Sequence, residues 1–437
     1  MPHNTMTQTA ERLSREIRRW DLVALLINVT VGAGVFRLPA EAYAAAGAYS
    51  LLAIVICAVV MGLIVLCFAE VASRFTGTGG PYLYARETFG PAVAFMVGWL
   101  MWLTRLAGFG TLCNLLVIYL GYFWPAASSG LWRAVVITGI VLSLTIINLV
   151  GVRESAVVGN ILTAGKLAPL LLFVAVGLFF IDPGRFSSAA RPGLGSLASG
   201  VFVLVWMFSG FEAVLINSGE IREPRRSIPF ALAVSLSTSS LLFILIQAVC
   251  IGTLPQLGGS ERPLAEASSR FLGGAGPSVI SAGALISILG TMNVIMLASS
   301  RIPFALAEQG QLPRFLLRIH PRFRTPHVSI LISAALVLLL ALSGTFIYLL
   351  TLSLITRIIV YAVTCAALPV LRRRKAAPAA SFKAPAGVLV SIGAVMICVA
   401  LLFSAQWHEV RDVVIGASAG LVLYLGLRFA QRLGMTR

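Results

Sequence analysis

Charged side chains lie inside the apolar segments of this chain, where a charge is costly. Among the charged residues within these runs are Arg37, Arg105, Lys166, Glu212 and Arg357. A charge at membrane depth normally faces a protein interior or a water-filled cavity, where it binds solutes or carries protons. No nucleophile–base pair accompanies these residues, and the cysteines and histidines lack metal-ligand spacing. The pattern therefore predicts solute binding and movement, with no enzyme activity, metal or cofactor.

The first apolar run is interrupted by Gly32, Ala33 and Gly34, in the stretch INVTVGAGVFRLPA. Glycine weakens a helix, and a break frees backbone N–H groups at the start of the following half-helix. That end of a helix favours an anion, and glycine lets a ligand approach the backbone closely. We therefore predict that Val31, Gly32, Ala33 and Gly34 bind a substrate carboxylate. Tight helix packing by small residues is the alternative.

A second interruption falls at Ser209 and Gly210, in the stretch VWMFSGFEAVLINSGE. Unwinding there exposes main-chain carbonyls, such as those of Met207 and Phe208, which can accept hydrogen bonds from a substrate ammonium group. Two glycine-interrupted helices at equivalent places in successive sets of five spans are typical of transporters built from inverted repeats. In such transporters the binding site lies near the middle of the membrane.

The elements that position these residues are predicted to be transmembrane helices. The chain has 437 residues, of which 58% are hydrophobic and 11% charged, a composition typical of an integral membrane protein. The sequence shows no series of short alternating segments, so a β-barrel is not expected. About twelve spans are predicted, at residues 20–45, 48–72, 88–121, 133–150, 155–181, 196–219, 228–253, 274–304, 327–343, 346–371, 385–404 and 412–430.

The positive charges predict the orientation of these spans. The net charge is +17, from 33 Lys and Arg against 16 Asp and Glu. If the N-terminus is inside the cell, 23 of the cations fall in cytoplasmic connectors and tails and 6 in outer connectors. The positive-inside rule thus places both termini in the cytoplasm, and we expect a bacterial inner (plasma) membrane. Because the cations lie in connectors, they favour contact with membrane lipids and argue against nucleic acid.

The connectors are too short for a soluble domain. We predict a cytoplasmic N-tail at residues 1–19, a ten-helix inverted-repeat transport core at 20–371, and two additional helices with a short cytoplasmic C-tail at 372–437. An odd number of spans per repeat gives the two halves of the core opposite orientations. The predicted fold class is therefore an all-α polytopic membrane protein.

Several motifs resemble those of the amino acid–polyamine–organocation superfamily of permeases. They are the small-residue signature at 32–36, the loop EVASRFTGTGGPYLYARETFGP at 70–91 with Gly98 and Trp99 after it, and GEIREPRRSIP, in which Glu220, Pro224, Arg226 and Pro229 match the family element. Glu223 stands where the family usually has Asn. Residues 163–171 and 290–326 are similar to the branch that contains bacterial exchangers and the light chains of heteromeric, L-type amino acid transporters.

The resemblance implies a leucine-transporter-like fold, in which helices 1 and 6 of a 5+5 inverted repeat are discontinuous and two extra helices follow. It also implies transport of amino acids or related amines by alternating access. By the same resemblance, Trp206 acts as an aromatic gate over the substrate. The ammonium of Lys166 takes the place of a sodium ion between spans one, five and eight, and Glu212 matches an acid that is tied to proton sensing in some members.

Several roles stay open at this point. Lys166 would either exchange protons or act as a fixed brace for span one. Glu212 would be a proton site or the structural partner of an intramembrane arginine. Asn293, in the eighth span, is a further candidate for ion coupling, with a helix–helix hydrogen bond as the alternative. Trp206 could instead be a packing side chain.

The sequence therefore predicts a sodium-independent secondary transporter of amino acids, either a proton symporter or an exchanger. The apolar residues Val35, Trp206, Phe208 and Phe211 near the breaks favour a neutral substrate. A polyamine or amine antiporter is the alternative, although it would need more acidic groups, and a membrane amino acid sensor is the alternative from another class. The outer connector at 122–132 has no cysteine for a bridge to an ancillary subunit, so no such subunit is predicted.

Overall fold

The computed structural model describes residues 17–75, 79–151, 156–187, 192–215, 221–375 and 377–433, and the backbone alone for 156–164. The α-helices are α1 (Arg19–Thr30), α2 (Leu38–Ala46), α3 (Ser50–Arg74), α4 (Pro81–Phe89), α5 (Pro91–Leu120), α6 (Gly130–Val150), α7 (Ala156–Gly177), α8 (Gly184–Ser187), α9 (Leu194–Phe208), α10 (Phe211–Leu215), α11 (Pro224–Thr253), α12 (Pro263–Leu272), α13 (Ala275–Glu308), α14 (His327–Ser343), α15 (Phe346–Arg373), α16 (Gly387–Leu402) and α17 (Trp407–Arg432). Short 3-10 segments lie at Ala33–Phe36, Gly47–Tyr49, Pro125–Ser128, Leu178–Phe180, Leu257–Gly259 and Arg314–Leu317.

The apolar helices correspond to the predicted spans. Among the described residues, 8 helical stretches have the length and composition to cross a membrane, and shorter apolar helices match spans five, nine and eleven. The first span is the pair α1 and α2, and the sixth span is the pair α9 and α10. The prediction of an all-α polytopic membrane protein is confirmed.

Two helices lie where the sequence analysis did not predict them. The third span was predicted from residue 88, but α4 ends at Phe89 and α5 begins at Pro91. Gly90 separates them because its φ of +90° is incompatible with a continuous helix. The connector between spans seven and eight contains α12, which packs against α13. Packing against the bundle, which the sequence does not display, stabilises this short helix.

Helices α3 and α5 each contact several other helices. The partners of α5 include α13, α14 and α15, whereas α3 packs against α9, α11 and α16. Helix α15 joins the two groups because it contacts both α3 and α5. The last helix, α17, touches α5 and α15, and only 17% of its apolar stretch is buried within the bundle. Its outer surface is therefore available to lipid.

Both predicted helix breaks are confirmed. Between α1 and α2 the chain forms the 3-10 turn at Ala33–Phe36, preceded by Gly32 in an extended conformation. Between α9 and α10, Gly210 has φ +109°, a value that favours glycine. Each break thus falls on the glycines that the sequence places within an otherwise apolar run.

The start of α11 shows why asparagine suits position 223. Glu223 precedes the helix with φ +46° and ψ +55°, a left-handed conformation that Asn adopts more readily than Glu. Glu223 therefore differs from the usual Asn of the family motif in residue type but has the backbone conformation that Asn favours. Glu220 of the same motif lies outside the described residues.

A buried carboxylate joins three elements at one end of the bundle. Glu70 on α3 is fully buried and pairs with Arg74 at 3.1 Å and with Arg372 on α15 at 2.6 Å. It also accepts a hydrogen bond of 2.8 Å from the backbone N–H of Ala384, which precedes α16. Both carboxylate oxygens are thus occupied, as a buried charge requires.

Replacing Glu70 by Gln removes this charge and leaves Arg74 and Arg372 without their partner. Breaking a buried ion pair in this way costs about 3–5 kcal/mol, so we expect a clearly lower midpoint of thermal unfolding in detergent. Asp182→Asn is the matched control, since its pair with Arg185 is largely exposed and such pairs contribute little. Equal midpoints for the two variants would contradict the role assigned to Glu70.

Candidate functional site

A cavity of about 210 Å³ lies where the two helix breaks meet. Pockets for drug-sized ligands typically measure ~300–1,000 Å³, so this cavity suits a small solute. Its walls come from the first, third, fifth, sixth, eighth and tenth spans. The lining residues are Asn28, Val29, Thr30, Gly32, Ala33, Gly34, Met101, Thr104, Arg105, Gly108, Lys166, Trp206, Met207, Ser209, Gly210, Glu212, Ala213, Ile286, Ser287, Gly290, Thr291, Val294, Ile295, Arg357, Val360 and Tyr361.

The two broken helices touch at this cavity. A Cβ atom on Gly210 would lie 2.8 Å from Cγ1 of Val29 in α1, and a Cβ atom on Gly34 would lie 2.7 Å from two ring atoms of Trp206. Both distances are shorter than a carbon–carbon contact allows, so any other residue at either place would displace the neighbouring side chain. The indole of Trp206 therefore lies directly against the first break. Its Nε1 is buried and has no hydrogen-bond partner among the described residues.

The first break presents main-chain donors to the cavity. Gly32, Ala33 and Gly34 all line it, and Ala33 and Gly34 begin the 3-10 turn. The first N–H groups of a helical turn have no acceptor inside that turn. These N–H groups are therefore placed to receive an anionic group of a bound solute.

Glu212 is held by three neighbours at the second break. Its Oε2 accepts hydrogen bonds from the backbone N–H of Gly210 at 2.9 Å and from the hydroxyl of Tyr361 at 2.8 Å. Its Oε1 lies 3.6 Å from Nε of Arg357. An arginine partner was one of the two roles left open for Glu212, and Arg357 is that partner. Tyr361 was missed, although its i+4 spacing from Arg357 places both on one face of α15 and could have indicated it.

Lys166 lies at the C-terminal end of α1. Its ammonium donates a hydrogen bond to the carbonyl of Asn28, in the last turn of that helix. The last carbonyls of a helix lack partners within it, and the helix dipole makes this end negative, so a cation is favoured there. Helix α7, which carries Lys166, also packs against α13. The lysine thus lies among spans one, five and eight, as the family resemblance implied.

Three predicted site residues lie outside the cavity lining. Val31 is fully buried, and Phe208 packs edge-on against Phe243 with ring centroids 5.0 Å apart. Asn293 is not among the lining residues, whereas Thr291 of the same helix is. For Asn293 the reason is helical phase: in a helix that is apolar on nearly all sides, the sequence does not show which residues face a cavity.

The predicted apolar lining is corrected in the same way. Val35 is fully buried outside the cavity, and Phe211 packs against Phe68 with ring centroids 5.2 Å apart. Other apolar residues, such as Ile286 and Val294, line the cavity together with four charged side chains. They are Arg105, Lys166, Glu212 and Arg357.

Arg37, the remaining intramembrane cation, is not part of this cavity. Its guanidinium pairs with Glu41 one turn later at 2.8 Å and donates to the carbonyl of Ser260 at 3.1 Å. Arg37 thus links the second half-helix of span one to the connector after α11.

Taken over its described lining, the cavity combines main-chain donors with three cationic side chains and one anionic side chain. Such a set of groups can bind a small charged or zwitterionic solute. In the part of the chain that the structure describes, no group of three or more His, Cys, Asp or Glu residues could hold a metal ion.

Comparison with known proteins gives the family of this chain. The family model described as "Amino acid permease" matches residues 17–426. The chain is 26% identical to the branched-chain amino acid permease BcaP of Bacillus subtilis, over 96% of this chain and 94% of the relative. It is 27% identical to the serine/threonine exchanger SteT of the same species, over 95% of this chain and 97% of the relative. It is 31% identical to the arginine/ornithine antiporter of Pseudomonas aeruginosa, over 71% and 67%.

The matched region includes both helix breaks and every residue that lines the cavity. The relatives are named as a permease, an exchanger and an antiporter rather than as enzymes, and the substrates in their names differ from one relative to the next. The family prediction made from the motifs is therefore confirmed. The chain is an integral membrane protein that belongs to the amino acid permease family, within the amino acid–polyamine–organocation superfamily.

Proposed function

We propose that this protein is a sodium-independent secondary transporter of amino acids that works by alternating access. The observation that carries the proposal is the meeting of two helix breaks at a small cavity lined by a lysine ammonium. In this proposal the backbone N–H groups at Ala33 and Gly34 bind the substrate α-carboxylate. Main-chain carbonyls at the second break, such as that of Met207, accept hydrogen bonds from the α-ammonium.

The charges of the cavity support sodium independence. The ammonium of Lys166 already occupies the carbonyl of Asn28 at the end of α1. A sodium ion beside it would meet a like charge in a region of low dielectric constant, where repulsion is strong. In this proposal the ammonium charge of Lys166 takes the place that a coupling cation would need.

The same charges argue against a polyamine or amine antiporter. Such a substrate needs carboxylates that are free to pair with its ammonium groups. Glu212 is the one acid in the described lining of the cavity, and it already pairs with Arg357 and accepts a hydrogen bond from Tyr361. A cationic substrate would therefore meet an excess of positive charge.

Proton symport and exchange both fit the proposal. Glu212 and Lys166 are the groups that would take up and release a proton in a symporter. In an exchanger, Lys166 would be a fixed brace that holds the end of α1. We further propose that both termini are cytoplasmic in a bacterial plasma membrane, and that residues 20–371 form the transport core.

Gly34→Ala is expected to lower uptake about tenfold or more. The added methyl group would lie 2.7 Å from the ring of Trp206, so the indole must move, and overpacking of this kind costs about 1–3 kcal/mol. The measurement is the initial rate of uptake of a panel of radiolabelled amino acids into proteoliposomes. Gly139→Ala is the matched control, because a Cβ atom there meets nothing within 4 Å. Full activity of Gly34→Ala would exclude this break from the binding site.

Replacement of sodium by potassium is expected to leave wild-type uptake unchanged, and a sodium requirement would contradict the proposal.

Lys166→Ala should lower uptake about tenfold or more, because the carbonyl of Asn28 loses its partner and the half-helix loses its brace. Lys383→Ala changes an exposed lysine in a connector and serves as the control.

The same proteoliposomes distinguish the two coupling modes. Accumulation into empty vesicles under an inward proton gradient indicates symport, and its specific loss in Lys166→Ala would assign the lysine to proton coupling. Uptake that ignores the gradient but needs amino acid inside the vesicles indicates exchange, with Lys166 as a brace. Uptake of no amino acid under either condition would contradict the proposed function.

A further inference from the structure

We propose that the cavity contains a subsite for a second anionic group of the substrate, formed by Arg105 and Arg357. The preferred substrates are then amino acids whose side chain ends in a carboxylate or a comparable acid. This inference rests on the proposed transport function and adds the substrate class to it. It replaces the neutral substrate predicted from the sequence, since most of the apolar residues behind that prediction lie outside the cavity lining.

Arg105 lines the cavity from α5, near Glu212 but without a direct ion pair to it. None of the ion pairs found within the described residues includes it, and its buried Nε has no hydrogen-bond partner there. The side chain is partly buried, and a guanidinium nitrogen that is buried without an acceptor is costly. A carboxylate is the group whose two oxygens match the fork of guanidinium donors. The unpaired arginine therefore favours an acidic ligand.

Glu212 cannot satisfy both arginines. Its Oε2 is already engaged by Gly210 and Tyr361, and its Oε1 faces Arg357 at 3.6 Å. That separation is an ion pair but too long for a good hydrogen bond, so Nε of Arg357 is also without a hydrogen-bond partner among the described residues. Two guanidinium groups thus share one carboxylate, and one positive charge is left for the substrate to compensate.

Hydrogen bonds between α5 and α15 position the two arginines. Thr104 and Thr356, which directly precede Arg105 and Arg357, are joined hydroxyl to hydroxyl at 2.7 Å. The hydroxyl of Ser353 on α15 also donates to the carbonyl of Thr104 at 3.0 Å. These buried contacts fix the register of the two helices, so that both guanidinium groups line the same cavity.

The arginines and the first break belong to different walls of one small cavity. The break lies in span one, whereas the arginines lie in spans three and ten. A single substrate can therefore place its α-carboxylate at the break and a side-chain acid at the arginines. A neutral side chain would leave the arginine charge unpaired, and a cationic side chain would add to it.

Glutamate and glutamine form a matched pair of substrates because they differ mainly in side-chain charge, and aspartate and asparagine form a shorter pair. Competitive uptake into wild-type proteoliposomes gives the ratio of kcat/KM within each pair. We expect the acid to be preferred by about tenfold or more in at least one pair, the factor typical of a charge-assisted hydrogen bond. Equal uptake, or preference for the amide in both pairs, would overturn the inference.

Arg105→Gln should reduce the acid-to-amide ratio to about one or lower. Arg105→Lys keeps the charge but loses the guanidinium fork, and we expect an intermediate ratio. Arg301→Gln changes an exposed arginine of α13 outside the cavity and should keep the wild-type ratio. A wild-type ratio in folded Arg105→Gln would overturn the inference.

Thermal unfolding in detergent shows whether each variant is folded. If Arg105→Gln is not, Arg105→Lys decides the role of the guanidinium, and an unchanged ratio in that variant counts against the subsite. Failure of the inference is distinct from failure of the proposed function. Uptake of neutral amino acids without inhibition by glutamate or aspartate overturns the acidic subsite alone, whereas uptake of no amino acid overturns the transport function as well.

Discussion

The structure depends on how the polar groups freed by two helix breaks are satisfied inside an apolar bundle. A backbone group without a partner costs several kcal/mol where no water can reach it. At the end of α1 the carbonyl of Asn28 accepts a hydrogen bond from the ammonium of Lys166, and at the start of α10 the N–H of Gly210 donates to the carboxylate of Glu212. The cation thus lies at the free carbonyl and the anion at the free N–H. Both breaks are stabilised, although their backbone groups have lost their partners within a continuous helix.

The buried carboxylate of Glu212 determines which side chains must lie around it. Glu212 needs a counter-charge, which Arg357 supplies from α15, and Tyr361 completes the hydrogen bonds of its carboxylate. Helix α15 must therefore lie close to α10, and its contacts with α5 bring Arg105 to the same cavity. The resulting excess of positive charge is a consequence of stabilising the breaks with side chains, and it remains when the cavity is empty.

The sequence predicts the breaks well because glycine in an apolar run is a local signal, and it predicts Lys166 and Glu212 because a charge in such a run is conspicuous. It predicts the facing of uncharged residues poorly. Val31, Phe208 and Asn293 were assigned to the site but lie outside the cavity lining, whereas Tyr361 was not assigned and lines it. In helices that are apolar all round, no periodicity marks the inner face, so the phase of each helix is fixed only by packing against its neighbours.

The fold alone does not decide the substrate, because one permease architecture serves solutes of different charge. The charges in the cavity link the choice of substrate to the mode of coupling. An acidic amino acid carries a net negative charge, and a membrane potential of about 100 mV, negative inside, opposes its entry by ~2.3 kcal/mol. A carrier that moved such a substrate alone would deplete the cell of it. Entry together with a proton, or exchange for another anion, cancels that electrical cost, and these are the two coupling modes of the proposed sodium-independent transport.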